Sequence, residues 1–207
     1  MDNKKVIIDL LRLVNSYWKV KRATVINDRY VDGAAIDDEK VRENLVEHVG
    51  LLPILVSFMH PYISKTDSVS LERTLAMLAI HDIGETITGD IPTSKKTEQN
   101  TVDEIQIVKG MLTEKQFELY MEFEDRKTET AMFAKAMDCL AVFVDDLLLP
   151  SEVAAKRLAR WDFGVEKTIG YTEKYFLWDE NLSSIYKTLM DEYRIIVNGE
   201  TRILLVR

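Results

Sequence analysis

The chain has 207 residues, which is enough to bury a sizeable core in one domain without a disulfide or a structural metal. Its 27 Lys and Arg residues against 35 Asp and Glu residues give a formal net charge of −8. A chain this acidic is repelled by a nucleic-acid backbone and by an anionic bilayer. We therefore expect neither a nucleic-acid polymer nor a membrane as a partner.

Two features of the sequence, its single cysteine and its charged first residues, indicate the cellular compartment of the protein. Cys139 is the only cysteine, which excludes an intramolecular disulfide and a cysteine-based zinc site and fits a reducing environment. Charged side chains are spaced through residues 1–20, so we expect no signal peptide or membrane anchor there. From these two features we predict a cytoplasmic protein.

Helical periodicity runs through most of the chain, which contains only 8 Gly and 4 Pro. Because Pro53 lacks a backbone N–H, we expect it to bend or restart the helix in which it lies. Apolar side chains recur at helical spacing in the segments 5–17, 43–60, 71–78 and onward, 129–149, 151–160 and 181–194.

Capping residues predict three helix starts. Ser70 is a favourable N-cap before an apolar-periodic run. Thr101 with Glu104, and Thr113 with Gln116, have the spacing of a capping box. These pairs predict that two further helices begin directly after Thr101 and Thr113.

Two segments favour β-structure instead of helix. Residues 195–206 form a β-branched run split by Asn198-Gly199, which is the strongest short hairpin signal. Residues 19–31 contain β-forming residues around Asn27-Asp28, a weaker signal of the same kind. Because an isolated hairpin is marginal, the two are expected to form a small sheet joining the ends of the chain. The fold class that follows is all-α, with a small terminal β-hairpin sheet.

Ionisable residues occur where the helical pattern places the core. His81 and Asp82 continue the apolar stripe of residues 71–78, and His48 and Asp138 lie on apolar faces of two other helices. Burying unpaired carboxylates costs roughly several kcal/mol each. A divalent cation binds imidazole nitrogen and carboxylate oxygen together and offsets both negative charges. The residues predict one divalent metal ion, and mixed N and O ligands suit Mn, Co, Zn, Fe or Ni.

Simpler interpretations stay open for single members of this set. A lone histidine on an apolar face, such as His48, is more often a hydrogen-bonded core residue. Asp138 alone is equally explained by a buried Arg or Lys partner. The adjacency of His81 and Asp82, together with two more inward-facing ionisable groups, favours the metal site over both.

The order of these residues resembles a known family. His48, then His81-Asp82, then Asp138 follow the H…HD…D order of the HD-domain superfamily of metal-dependent phosphohydrolases. Three segments look like the motifs E-N-V-x-E-H, H-D-x-x-E-x-x-x-G-D-x-P-T and K-x-x-D of its 5′-deoxynucleotidase-like branch, namely residues 43–48, 81–93 and 135–138.

The resemblance covers roughly residues 43–145. It implies an all-α fold in which the whole chain, residues 1–207, is a single HD-domain helical bundle. The two ends, residues 1–42 and 150–207, are expected to pack around that core.

The same resemblance implies roles for the site residues. Glu85 would act on the attacking water, and Asp90 would contact water or substrate. Glu85 follows His81 by four residues, so a continuing helix would place both side chains on one face. A simpler interpretation of Glu85 is an exposed acid paired with a lysine. The implied metal centre is mononuclear, with the ligands His48, His81, Asp82 and Asp138.

The segment before the first motif departs from the deoxynucleotidase pattern. Those relatives carry an Arg-Trp pair upstream of the first histidine, whereas here Tyr17 precedes Trp18. Trp18 remains a candidate to contact the sugar or base. Arg22, Arg29 and Lys96 are candidates to bind the phosphate.

The sequence as a whole predicts a metal-dependent phosphohydrolase that releases phosphate from a small nucleotide, a (deoxy)nucleoside 5′-monophosphate. One alternative is another HD phosphohydrolase acting on a nucleoside triphosphate or a phosphodiester. The other is a non-catalytic, metal-bearing nucleotide-binding module. Relatives of this kind commonly dimerise, so a homodimer is also compatible with the sequence.

Overall fold

The computed structural model describes residues 3–26, 29, 38–160, 162 and 164–198. Helices dominate these residues, and one two-stranded antiparallel sheet accompanies them, which confirms the predicted fold class. The elements in chain order are α1 (Asn3–Lys19), β1 (Lys21–Val25), β2 (Arg42–Asn44), α2 (Leu45–Met59), α3 (Leu71–Ile80), α4 (Glu85–Thr88), α5 (Glu98–Met111), α6 (Glu114–Asp125), α7 (Glu129–Leu148), α8 (Ser151–Arg160), α9 (Val165–Thr172) and α10 (Glu180–Val197).

The core forms where α2, α3 and α7 pack against one another. Leu52 of α2, Met77 of α3 and Met137 of α7 are all fully buried there. The long apolar helix predicted over 129–149 is α7, and α6 and α10 cover its remaining sides. Helix α7 therefore lies at the centre of the domain, with a buried face toward each neighbour.

Helix starts agree with two of the three predicted caps. The Ser70 side chain accepts a hydrogen bond from the backbone N–H of Arg73, and Thr113 with Gln116 forms a capping box at α6. Helix α5, however, begins at a capping box of Thr97 with Asn100, so the predicted start after Thr101 is wrong. The helix begins at the earlier position because Thr97 and Asn100 also have the spacing of a capping box. Thr101 lies inside the first turn that this box starts.

Pro53 lies inside α2 without ending it. The helix runs unbroken from Leu45 to Met59, so of the two expected effects, a bend or a restart, the restart does not occur. Leu52, Leu55 and Val56, on either side of the proline, are buried in the core. Burial of this apolar face holds the helix together across the missing hydrogen bond.

The predicted helix over 5–17 is α1, and it carries its partly buried residues Leu13 and Tyr17 against a small cluster around Tyr120. The chain then enters β1, whose partner is β2, with Lys21 opposite Asn44. The hairpin predicted within 19–31 is thus confirmed for its first strand, whose partner is β2, while most of its expected second strand lies outside the described residues. The expected turn at Asn27-Asp28 lies outside the described residues.

No helix in the described part of the chain is long and apolar enough to cross a bilayer.

The C-terminal hairpin prediction fails where the structure describes it. Residues 195–197 belong to α10, and the remainder of the predicted hairpin, 199–206, lies outside the described residues. Tyr193 and Ile196 continue the buried stripe of α10 that begins at Leu182. Helical burial of this stripe outweighs the β-propensity of the segment.

A buried ion pair fastens the far end of α7 to its neighbours. Asp146 is fully buried and accepts hydrogen bonds from the Arg157 guanidinium of α8 and from the Tyr193 hydroxyl of α10. Arg157 is itself 3% exposed. Removing one partner of such a pair leaves the other charge buried and unpaired, which costs far more than losing a surface pair.

We expect Asp146→Ala to lower the free energy of unfolding by about 3–5 kcal/mol, because Arg157 would stay buried without its counter-charge. Urea unfolding followed by circular dichroism measures the change. Asp191→Ala is the matched control, since Asp191 pairs with Arg194 on the exposed surface of α10 and is expected to cost less than about 1 kcal/mol. Equal losses in the two variants would contradict the role given to the buried pair.

Candidate metal centre

Three elements of the core bring the four expected metal ligands together. His48 projects from α2, His81 and Asp82 lie in the turn that follows α3, and Asp138 projects from α7. His48 Nε2 lies 3.0 Å from Asp138 Oδ1, and His81 Nε2 lies 3.5 Å from the same oxygen. Asp82 Oδ2 lies 3.1 Å from His81 Nε2 and 3.7 Å from His48 Nε2. The ligand atoms of His48, His81 and Asp138 therefore face one point, and Asp82 lies beside them, between His81 and Arg22.

These distances fit a single divalent ion. Metal–ligand bonds of about 2.0–2.2 Å put neighbouring ligand atoms about 3–3.5 Å apart, which is the spacing found here. The ligand atoms of His48, His81 and Asp138 all lie within 4.8 Å of one another. Four protein ligands of this kind leave coordination positions open for water or substrate, as in catalytic metal sites.

The hydrogen bonds around the imidazoles leave a nitrogen of each ring directed at that point. His81 Nδ1 donates to the Leu78 carbonyl oxygen at 2.9 Å, so Nε2 is the nitrogen of this ring that is left to face the carboxylates. That buried Nε2 has no hydrogen-bond partner among the described residues. His48 Nε2 forms a hydrogen bond with Asp138 Oδ1 at 3.0 Å, whereas its Nδ1 lies 3.7 Å from Glu43 Oε1, too far for a hydrogen bond. A histidine ligand oriented by a carbonyl or a carboxylate is the usual arrangement around protein-bound metals.

The ionisable groups of the cluster strongly shift one another's pKa values. Burial lowers the pKa of His48, and the charge of Arg22 lowers it further, so this ring is in the neutral, ligating form. Burial also opposes the charged form of His81, yet Asp82 and Asp138 outweigh it and raise the pKa of His81 to about 10. The pKa of Asp138 lies well below its ordinary value despite burial, because Lys135 and the two histidines stabilise the carboxylate.

Arg22 is the candidate phosphate-binding residue that lies nearest the centre. Strand β1 carries it, and its Nη1 lies 2.6 Å from Asp82 Oδ2 and 3.6 Å from Glu85 Oε2. Its Nε lies 3.3 Å from Glu43 Oε2. The guanidinium therefore balances the charge of three acids beside the metal ligands.

The two expected catalytic acids both border this region. Glu85 begins α4, one turn beyond His81, and its Oε2 is buried with no hydrogen-bond partner among the described residues. Burial and the charge of Asp82 raise the pKa of Glu85 well above its ordinary value, although Arg22 opposes them. Asp90 follows Gly89, whose φ of 75° turns the chain back, and Asp90 Oδ2 accepts a hydrogen bond from the backbone N–H of Ala23 at 3.1 Å. A buried Glu85 is not the exposed, lysine-paired acid of the simpler interpretation.

A close approach of α5 holds the turn that carries these acids. A Cβ on Gly84 would lie 2.5 Å from Glu104 Cγ, so only glycine fits there without displacing Glu104. Glu104 in turn forms an ion pair with Lys96, at 2.5 Å between Oε2 and Nζ. Lys96 is thereby fixed at the wall of the cavity next to the centre.

A cavity of about 430 Å³ opens beside the ligands. Arg22, Lys96, Glu85 and Asp90 line it together with His81, Asp82 and Asp138. Trp18 does not line this cavity and is 53% exposed at the end of α1. Arg29 pairs with Glu47 and is also absent from the lining. Of the basic candidates, Arg22 and Lys96 are thus the ones brought to the site.

Two residues of the site carry no role in the sequence analysis. Glu43 is 1% exposed and lies against both His48 and Arg22. Burial raises the pKa of Glu43 to about 8, with Arg22 opposing the rise. Lys135 lies 2.7 Å from Asp138 Oδ2 through its Nζ. Both residues occur in the motif segments 43–48 and 135–138, which is the signal that could have identified them.

The fold and the centre define a helical metal-binding domain. The HD domain family matches residues 32–171, and the chain belongs to this family. The fold is similar to that of a predicted metal-dependent phosphohydrolase from Magnetospirillum magnetotacticum MS-1, with a TM-score of 0.64 and 21% identity over 92% of this chain and 96% of the other. It is also similar to a conserved hypothetical protein from Pyrococcus furiosus, with a TM-score of 0.55 and 20% identity over 89% of this chain and 98% of the other. No curated protein matches the chain.

We expect Asp82→Ala to weaken binding of a divalent metal by more than about tenfold, because it removes one ligand and one negative charge. Isothermal titration with Mn²⁺ or Co²⁺ and elemental analysis of the purified protein measure the loss. Asp90→Asn is the matched control, since Asp90 lies on the cavity wall outside the ligand set and the variant is expected to keep the wild-type metal content. Undiminished metal binding by Asp82→Ala would refute the ligand assignment.

We expect Glu43→Gln to weaken metal binding by about 10- to 100-fold, the usual effect of changing a residue that orients a histidine ligand. The same titration measures it, and circular dichroism verifies that the helices persist. Glu47→Gln provides the comparison, because Glu47 lies in the same motif and caps α2 without facing the ligands. If the two variants bind metal alike, Glu43 does not orient His48.

Proposed function

We propose that this protein is a metal-dependent phosphohydrolase that releases phosphate from a small nucleotide, a (deoxy)nucleoside 5′-monophosphate. The observation that carries the proposal is the convergence of His48, His81 and Asp138 on one point beside an open cavity, with Asp82 adjacent to both histidines. Membership of the HD domain family and the fold shared with a predicted metal-dependent phosphohydrolase support it.

The bound cation would supply the Lewis acid that polarises the phosphate and lowers the pKa of water. The residues of this chain do the rest. Glu85, which follows His81 and Asp82 along the turn, is placed to take a proton from the attacking water at Oε2, which lies near Arg22 but has no hydrogen-bond partner among the described residues. Arg22 stabilises the negative charge that develops on the phosphate oxygens. Asp90, on the same wall, holds water or a substrate hydroxyl.

The cavity limits the size of the substrate. Its volume of about 430 Å³ falls in the range of pockets that bind small organic molecules and cofactors. Lys96, held by Glu104, offers a second cation for the phosphate. A nucleotide can place its phosphate between Arg22, Lys96 and the metal while its sugar and base occupy the remaining volume.

A phosphate-release screen tests the proposal. Ribo- and deoxynucleoside 5′-monophosphates, nucleoside triphosphates and phosphodiesters are incubated with the protein and with Mn, Co, Ni, Zn or Fe. Inorganic phosphate from a monophosphate supports the proposal, whereas pyrophosphate from a triphosphate or cleavage of a diester supports another HD chemistry. Nucleotide-dependent thermal stabilisation without turnover would indicate a binding module.

We expect Glu85→Gln to lower kcat by about 10²- to 10⁴-fold, because the amide cannot accept the proton from water. Steady-state kinetics with the best monophosphate measure the change, and elemental analysis verifies that the metal is retained. Glu98→Gln, on the exposed first turn of α5, is the matched control and is expected to keep the wild-type rate. Full activity in Glu85→Gln would exclude Glu85 as the base.

A further inference from the structure

Three cations surround one aromatic ring on the cavity wall. The Nζ atoms of Lys174 and Lys135 lie 5.1 Å and 6.0 Å from the ring centroid of Tyr175, and the Arg126 guanidinium lies 5.8 Å from it. Arg126 Nη1 also donates to the Tyr175 hydroxyl at 3.3 Å. All four residues line the cavity that contains the metal centre. We call Arg126, Lys135, Lys174 and Tyr175 the tyrosine cluster.

Two of these cations, the half-buried Arg126 and the exposed Lys174, have no counter-charge in the part of the chain that the structure describes. Lys135 pairs with Asp138, but neither Arg126 nor Lys174 has a carboxylate oxygen within 4.0 Å among the described residues. Glu124 lines the same cavity without forming such a pair. Neighbouring cations repel one another, and in a chain with a formal charge of −8 acidic partners are plentiful. Because Arg126 and Lys174 have no carboxylate partner among the described residues, an anionic ligand can take that place.

The backbone at Arg126 points to the same conclusion. Arg126 ends α6 in the left-handed region, with a φ of 53°. This position usually holds glycine or asparagine, because a side chain there is strained. An arginine in a strained conformation, with its guanidinium against Tyr175, is typical of functional sites.

Lys135 connects the tyrosine cluster to the metal centre. Its Nζ lies 2.7 Å from Asp138 Oδ2 on one side and faces the Tyr175 ring on the other. Residues 135 and 138 are one turn apart on α7, so both project from the same face of that helix into the cavity. A ligand of nucleotide size can therefore reach both ends at once.

We propose that Arg126 and Lys174 bind a second phosphate of the substrate while its scissile phosphate lies at the metal centre. Arginine recognises phosphate through paired hydrogen bonds, and lysine adds a point charge. The substrate class that fits is a nucleotide with two separate phosphate groups, such as a nucleoside 3′,5′-bisphosphate. This inference rests on the proposed function and narrows its substrate.

The test compares adenosine 3′,5′-bisphosphate with AMP in the metal-loaded protein. The double variant Arg126→Gln, Lys174→Gln is expected to raise the ratio of KM for the bisphosphate to KM for AMP by about tenfold or more, with kcat for the bisphosphate little changed. Lys127→Gln is the matched control, since Lys127 pairs with Asp125 on the surface and does not line the cavity. An unchanged KM ratio in the double variant would overturn the inference.

A binding measurement separates this inference from the proposed function. If the wild-type protein releases phosphate from no nucleotide, the proposed function fails, and calorimetry with adenosine 3′,5′-bisphosphate then decides about the cluster. Weaker binding by the double variant than by Lys127→Gln supports the second-phosphate site, and equal binding refutes it. Thermal unfolding of each variant verifies that all of them are folded.

Discussion

The structure depends on the mutual compensation of buried charges where α2, α3 and α7 meet. Asp138 lies inside the core and is stabilised by two imidazoles and by Lys135. Asp82 is held in the same way by His81 and Arg22. Removing any one of these partners would leave a charge in a low-dielectric environment, which costs several kcal/mol, roughly. The same interactions hold the two carboxylates, Asp82 and Asp138, close to the histidines. The contacts that stabilise the core therefore also position the groups that can bind a cation.

The sequence predicted those parts of the molecule that local pattern determines. Helical periodicity placed His48 and Asp138 on inward faces, and the structure shows both buried. Two β predictions chose the wrong local signal: β1 pairs with β2, and the Asp-Gly dipeptide midway between these strands in the sequence is Asp32-Gly33 and not Asn27-Asp28, while 195–197 continue α10. Glu43 and Arg22 meet across 20 positions of the chain, so their contact around His48 follows from the fold and not from spacing.

One face of helix α7 carries both a metal ligand and part of the cavity wall. Lys135, Asp138, Cys139, Val142 and Phe143 recur at intervals of three and four along it, and all of them line the cavity. One face of a single rigid helix therefore carries a metal ligand at one end and apolar wall at the other. A substrate lying along this face has its distance from the metal set by the helical rise and not by a mobile loop.

Net charge and local charge act on different ligands. The chain carries a formal charge of −8, which repels a long polyanion at a distance because its many phosphates sense the whole surface. A small phosphate ester that enters the cavity instead meets Arg22, Lys96, Arg126, Lys135 and Lys174 at short range, and burial limits screening at Arg22 and Lys135. Cations placed among the acids of the cavity wall can therefore act on a small ligand even though the chain as a whole is acidic, as the function proposed above requires. The net charge of the chain does not reveal these cations, since they are a minority of its 27 basic residues.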